Sequence, residues 1–113
     1  MFTKASASAG REVLPGIRQK TLAHGERTLF TEFRLGRGST LPRHSHPHEQ
    51  TGYLVSGALS FTIGEETHRA VPGDCWCIRG GVEHQVLALE DSVALEVFSP
   101  VREDYLPGAA GVS

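Results

Sequence analysis

From about residue 17 onward, short apolar runs alternate with turn residues, and within the runs the apolar positions recur with the period of two that a half-buried strand requires. Ile17 to Ala23 reads as a strand, His24-Gly25-Glu26 as its turn, and Thr28 to Leu35 as the next strand. In that second strand Leu29, Thr31, Phe33 and Leu35 share one face and Phe30, Glu32 and Arg34 the other. Gly36-Arg37-Gly38 breaks it. Tyr53 to Ser56 and Ala58 to Ile63 follow around a turn at Gly57, with Leu59, Phe61 and Ile63 on one face. Gly64-Glu65 turns the chain into Glu66 to Val71, and Pro72-Gly73 turns it again. Cys75 to Ile78, Gln85 to Leu89 and Val93 to Phe98 complete the set, while Pro100 and Pro107 mark an irregular C-terminus. No amphipathic helix longer than a turn or two is legible. At least eight short strands with frequent turn signals predict an all-β sandwich or barrel, for which a jelly roll is the natural antiparallel closure.

A chain of 113 residues is one domain. Residues 1–10 read as a loose tail and 11–113 as the domain. The net charge of -2 supplies no basic footprint, so nucleic acid is not an expected partner. No apolar run approaches membrane-spanning length, and residues 1–10 lack the apolar core of a secretory signal. A cytoplasmic protein is the default expectation. There, Cys75 and Cys77, on one strand face with poor geometry for a bridge, are expected to be free thiols packed as small apolar residues. The strand around Leu54 also carries Tyr53 and Val55 on its other face, which predicts a covered outer side and a two-fold homodimer.

Candidate chemistry concentrates in His44-Ser45-His46-Pro47-His48-Glu49-Gln50 and in His84. His44 and His46, two residues apart, lie on one face of an extended strand, and Gln50 and His84 would complete a single metal site. His48 has the same parity, but Pro47 interrupts the strand, which makes His48 a rim group or an outer partner of a ligand. Glu49 has the wrong parity and is the runner-up for fourth ligand. His24 and His68 fall in or near turns and are expected in solvent. Glu96 sits in the middle of the apolar strand Val93-Ala94-Leu95-Glu96-Val97-Phe98. Either it is turned inward for a purpose, or Ala94, Glu96 and Phe98 form an exposed side.

The spacing of these residues resembles the cupin superfamily. In its first motif Gly38 is followed by His44, His46, Gln50 in the usual glutamate position, and Gly57. In its second, Gly73, Gly81 and His84 match, while Arg79 stands for the proline and Ala88 for the asparagine. The resemblance implies a double-stranded β-helix, or jelly-roll barrel, with His44, His46, Gln50 and His84 holding one divalent metal ion. Zinc is the first expectation, with nickel, manganese or iron as others. An amide oxygen at position 50 cancels none of the metal's charge, which favours Lewis-acid work over oxygen activation.

The C-terminal run resembles small single-domain cupins of the KdgF type, named for pectin degradation. In these an acid, a phenylalanine two residues later and an arginine four after that line the pocket. Glu96, Phe98 and Arg102 match, with Glu where Asp is usual. The same set includes cupins named for polyketide synthesis, that of tetracenomycin among them. The resemblance implies a small-molecule substrate whose carboxylate Arg102 holds and whose ring Phe98 packs against, with Glu96 moving a proton. The expected activity is a metal-dependent, non-redox isomerisation, ring opening or cyclisation of an unsaturated uronate or a polyketide intermediate. The alternatives are a non-catalytic metal- and ligand-binding cupin and an Fe(II) dioxygenase.

Overall fold

Ten strands in two antiparallel sheets make up the computed structural model, which describes residues 1–106. They are β1 (Arg11–Leu14), β2 (Ile17–His24), β3 (Leu29–Leu35), β4 (Thr40–His44), β5 (Glu49–Ser56), β6 (Leu59–Ile63), β7 (Glu66–Ala70), β8 (Cys75–Ile78), β9 (His84–Ala88) and β10 (Ser92–Ser99). One sheet runs β1-β2-β3-β10-β5-β8 and the other β4-β9-β6-β7. This is the jelly roll expected from the strand count. Its helical content among the described residues is two short 3₁₀ turns, Ala5–Ala7 and Glu103–Tyr105. Pro107 lies outside the described residues.

The core forms between the sheets because each strand sends alternate residues inward. From the larger sheet come Ile17, Leu29, Leu54 and Phe98, and from the smaller Leu59, Phe61, Val86 and Ala88, all buried. A fully buried Leu or Phe contributes about 2–3 kcal/mol, so these positions dominate what holds the sheets together. Phe33, Phe98 and Tyr105 pack edge-on or tilted, with centroids 5.7–6.5 Å apart, and tie the C-terminal 3₁₀ turn to the barrel. The backbone carbonyls of Asp104 and Tyr105 anchor the same turn by accepting from Arg11 and from the Thr21 hydroxyl.

Several expectations need correction. Residues 11–14 and 40–44 are strands that their composition hid; β4 carries Pro42, which it tolerates because it is an edge strand. β5 begins at Glu49 rather than Tyr53, and β9 includes His84. Cys75 and Cys77 are free but exposed, not packed as core. In β8 the inward positions belong to Trp76, which meets Phe61 at 4.8 Å, and to buried Ile78. The alternation of the strand therefore sends both thiols out. His68 is exposed, but His24 is half-buried at the end of β2, where its backbone N–H faces the Met1 sulfur. Within the first ten residues, the carbonyl of Ala5 accepts from Lys20 at 2.7 Å.

Candidate metal centre

Two strands and one loop bring the histidines together. His44 ends β4 and pairs directly with His84, which begins β9. His84 points inward because it shares parity with buried Val86 and Ala88. His46 lies just beyond β4 rather than on it, so its place is set by the loop 45–48 and not by strand alternation. That loop docks on Gly80-Gly81. The Gly81 N–H donates to the His46 carbonyl at 2.8 Å, and a Cβ at position 80 would sit 2.3 Å from the Pro47 oxygen. Only glycine admits so close an approach.

The three rings lie 4.3–5.6 Å apart, centroid to centroid, and one nitrogen from each falls within 4.8 Å of the others. Each Nδ1 faces a backbone carbonyl two residues away: Pro42 for His44 at 2.8 Å, His48 for His46 at 3.0 Å and Val82 for His84 at 2.9 Å. Those contacts place the proton on Nδ1 and leave Nε2 as a lone-pair donor, the usual way a protein prepares a histidine to bind a metal. Burial, and secondarily Arg102, holds the His46 imidazole below its ordinary value, and burial pulls His84 down to about 4. Both are neutral at pH 7, as a ligand must be.

Gln50 faces the same space. It is buried on β5, opposite Phe98 on β10. Its Nε2 donates to Glu96 Oε2, which leaves Oε1 turned away from the carboxyl. His46 Nε2, His84 Nε2 and Gln50 Oε1 are all buried with no hydrogen-bond partner among the described residues. An unsatisfied buried polar atom costs about 1–3 kcal/mol. With each Nδ1 protonated, these three are all acceptors, and together they fit one cation. The donor set of imidazoles and an amide oxygen suits a divalent transition ion.

The neighbours divide cleanly. Glu49 is exposed, on the face of β5 opposite Gln50. His48 is half-buried and outside the three-histidine group, and its backbone carbonyl receives His46 Nδ1. Glu96 points inward with Ala94 and Phe98, all buried, so the inward reading of β10 holds and the more apolar set Val93, Leu95 and Val97 faces out. Burial pushes the Glu96 carboxyl up to about 8 against the opposing pull of the Trp76 N–H and of Arg102. Trp76 Nε1 donates to Glu96 Oε1 at 3.2 Å.

Arg102 is buried, and its guanidinium lies over the rings of Tyr105 and Phe98, 4.2 and 5.1 Å from their centroids. Its Nε and one Nη grip both carboxylate oxygens of Asp104 at 3.1 and 2.7 Å. One edge of the guanidinium is thus committed within the protein, and the outer edge remains for a second anion. His44, Gln50, His84, Glu96, Phe98 and Arg102 line one cavity. Trp76, which reaches Glu96, and Asp104, which holds Arg102, were not legible as site residues. The signal for Asp104 was its spacing of two from Arg102; Trp76 left none.

Comparison with known proteins matches residues 31–100 to the family described as Cupin domain. Pectin degradation protein KdgF of Dickeya dadantii is 28% identical over 97 residues, spanning 84% of this chain and 88% of that protein. The solved structure of KdgF from a Halomonas species superposes with a TM-score of 0.88 at 33% identity, covering 94% of this chain and 98% of that one. An RmlC-like cupin from Shewanella frigidimarina reaches the same TM-score at 20% identity, a likeness of fold.

Proposed function

The chain belongs to the cupin family, as a single-domain member resembling KdgF, and from that premise we propose that it is a metal-dependent, non-redox enzyme that opens the ring of an unsaturated uronate. The observation that carries this is the convergence of three unsatisfied buried acceptors on one space beside a buried arginine. His44, His46, His84 and Gln50 would hold the ion. When bound, a divalent ion at this place polarises a carbonyl or hydroxyl oxygen. Zinc, nickel, manganese and iron all suit the donors, and zinc is our first assignment.

The remaining groups have roles on the substrate. The outer edge of the Arg102 guanidinium binds the uronate carboxylate, and the Asp104 pair and the two aromatic rings keep it from swinging to meet other partners. Phe98 packs against the sugar ring. Opening a cyclic hemiacetal removes a proton from the anomeric hydroxyl and returns one to carbon as the enol becomes a ketone. No oxidant enters that balance. Glu96, on the cavity wall, takes that proton and gives it back. The two KdgF relatives favour a uronate over a polyketide intermediate. The outer face of the larger sheet, where Phe30, Tyr53 and Val55 are exposed, we assign to a second copy of the chain.

The test is turnover of an unsaturated uronate by zinc-, nickel-, manganese- and iron-loaded protein without oxygen, followed by loss of the enol-ether ultraviolet absorbance. We expect Glu96→Gln and Arg102→Ala each to lower kcat/KM by roughly a hundredfold or more. Full activity in both variants would overturn the assigned roles. Tight uronate binding with no product by mass spectrometry would make the protein a binding module instead.

A further inference from the structure

The strand register places three residues in a line across the larger sheet: Glu96 on β10, Gly52 on β5 and Trp76 on β8 are direct cross-strand partners. The indole of Trp76 lies across Gly52. A Cβ at position 52 would come within 2.3–2.5 Å of three atoms of the indole, so any other residue there displaces the ring. By crossing the glycine, Nε1 reaches Glu96 Oε1 at 3.2 Å. The other carboxyl oxygen of Glu96 accepts from Gln50 Nε2. Gln50 Oε1 is then left facing away, buried and without a partner.

We propose that Trp76, acting through Glu96, is a positioning residue that fixes the side-chain amide of Gln50 with its oxygen toward the three imidazoles. This rests on the reading of that cluster as a metal site.

A primary amide has an accepting end and a donating end of nearly the same shape, so packing alone does not choose between them. The choice matters at a cation: the oxygen is a ligand and the NH₂ group is not. Glu96 chooses by offering an acceptor where the NH₂ group must go. Trp76, a pure donor, occupies the other carboxyl oxygen and so sets the rotation of the carboxyl group. Gly52 is the opening through which the indole reaches it. The carboxyl group that this chain lacks among its ligands thus stands one hydrogen bond behind the amide, where it orients the ligand oxygen.

The test uses the full chain and zinc or cobalt(II) alone, with no substrate. Dissociation constants come from chelator competition, and the cobalt site is read from its visible absorption. Trp76→Phe keeps an aromatic ring, a smaller one, and removes the donor; the Gln50→Ala background separates the donor's effect from that of lost packing. We expect it to weaken zinc about tenfold, the low end for loss of a residue that orients a ligand, and to move the cobalt spectrum toward that of Gln50→Ala. In a Gln50→Ala background the same change should alter affinity less than twofold, because there is no amide left to orient. Should Trp76→Phe fold poorly by circular dichroism, Glu96→Gln serves: it is isosteric, gives the two donors a single oxygen, and should weaken zinc at least as much. Wild-type affinity in both variants, or the same loss with and without Gln50, overturns the proposal. Failure of the wild-type chain to take up either ion overturns the metal reading on which it rests.

Discussion

Replacing Gln50 with glutamate would restore the residue type usual at that place in cupins, yet the geometry makes it costly here. The Gln50 amide donates directly to the Glu96 carboxyl, so the substitution sets two buried carboxyl groups at hydrogen-bond separation. At about 3 Å and an effective dielectric constant of about 20, two unit charges repel by about 5 kcal/mol. The pair escapes by keeping one proton between them, and its titration then belongs to both. A carboxyl whose folded value is raised favours the fold at low pH and loses that contribution as pH rises from the unfolded value toward the folded one. Burial already pushes Glu96 up to about 8, so the second acid carries the loss past that point.

We therefore expect metal-free Gln50→Glu, unfolded by urea in the presence of a chelator, to lie within about 1 kcal/mol of wild type at pH 6 and to fall at least about 2 kcal/mol below it at pH 9. The exchange Gln50→Glu with Glu96→Gln supplies the control. Gln at 96 donates to Glu at 50 and still accepts from Trp76, so every hydrogen bond of the wild type is kept with the charge moved onto the ligand. It should recover to within about 1 kcal/mol of wild type at both pH values. Equal stability of Gln50→Glu and wild type at pH 9, or no recovery in the exchange, refutes the reasoning.

Two further outcomes follow from the same geometry. Asp104→Asn removes the charge that holds the Arg102 guanidinium over Phe98 and Tyr105. It should raise KM for a uronate about three- to tenfold with kcat changed less than twofold, and an unchanged KM would detach Asp104 from substrate binding. The exposed apolar residues Tyr53 and Val55 on the outer sheet face predict a dimer mass by light scattering at micromolar concentration and a monomer mass for Tyr53→Arg; a monomeric wild type would remove the second copy.

Much of the barrel was legible because most strands alternate strictly, as Leu29-Phe30-Thr31 and Leu59-Ser60-Phe61 do. The two missed strands lie at sheet edges, where half of the backbone groups need no partner and the composition is freer, so Pro42 and Arg43 obscured β4. Alternation alone did not decide β10. In β10 the more apolar set Val93, Leu95 and Val97 faces out, and a glutamate faces in. Only the packing of β10 between β3 and β5 resolves that, since the strand's own pattern permits both. The thiols face out for a related reason: both parities of β8 carry apolar residues, and Trp76, the bulkier one between them, takes the inward position. Of the candidate centre, the histidine spacing was visible in one dimension. The grip of Glu96 on Gln50 joins residues distant in sequence, and its third member is a tryptophan, a residue type that packing alone would explain.

That tryptophan is the only one in the chain. Its indole N–H ends on the same carboxyl group that holds Gln50. The molecule therefore carries a built-in optical reporter: ultraviolet emission excited in the indole band arises at one place, a single hydrogen-bond relay from the cluster of imidazoles. Anything that reorganises that cluster, whether an ion, a ligand or a substitution, will be seen without a label and without background from a second indole.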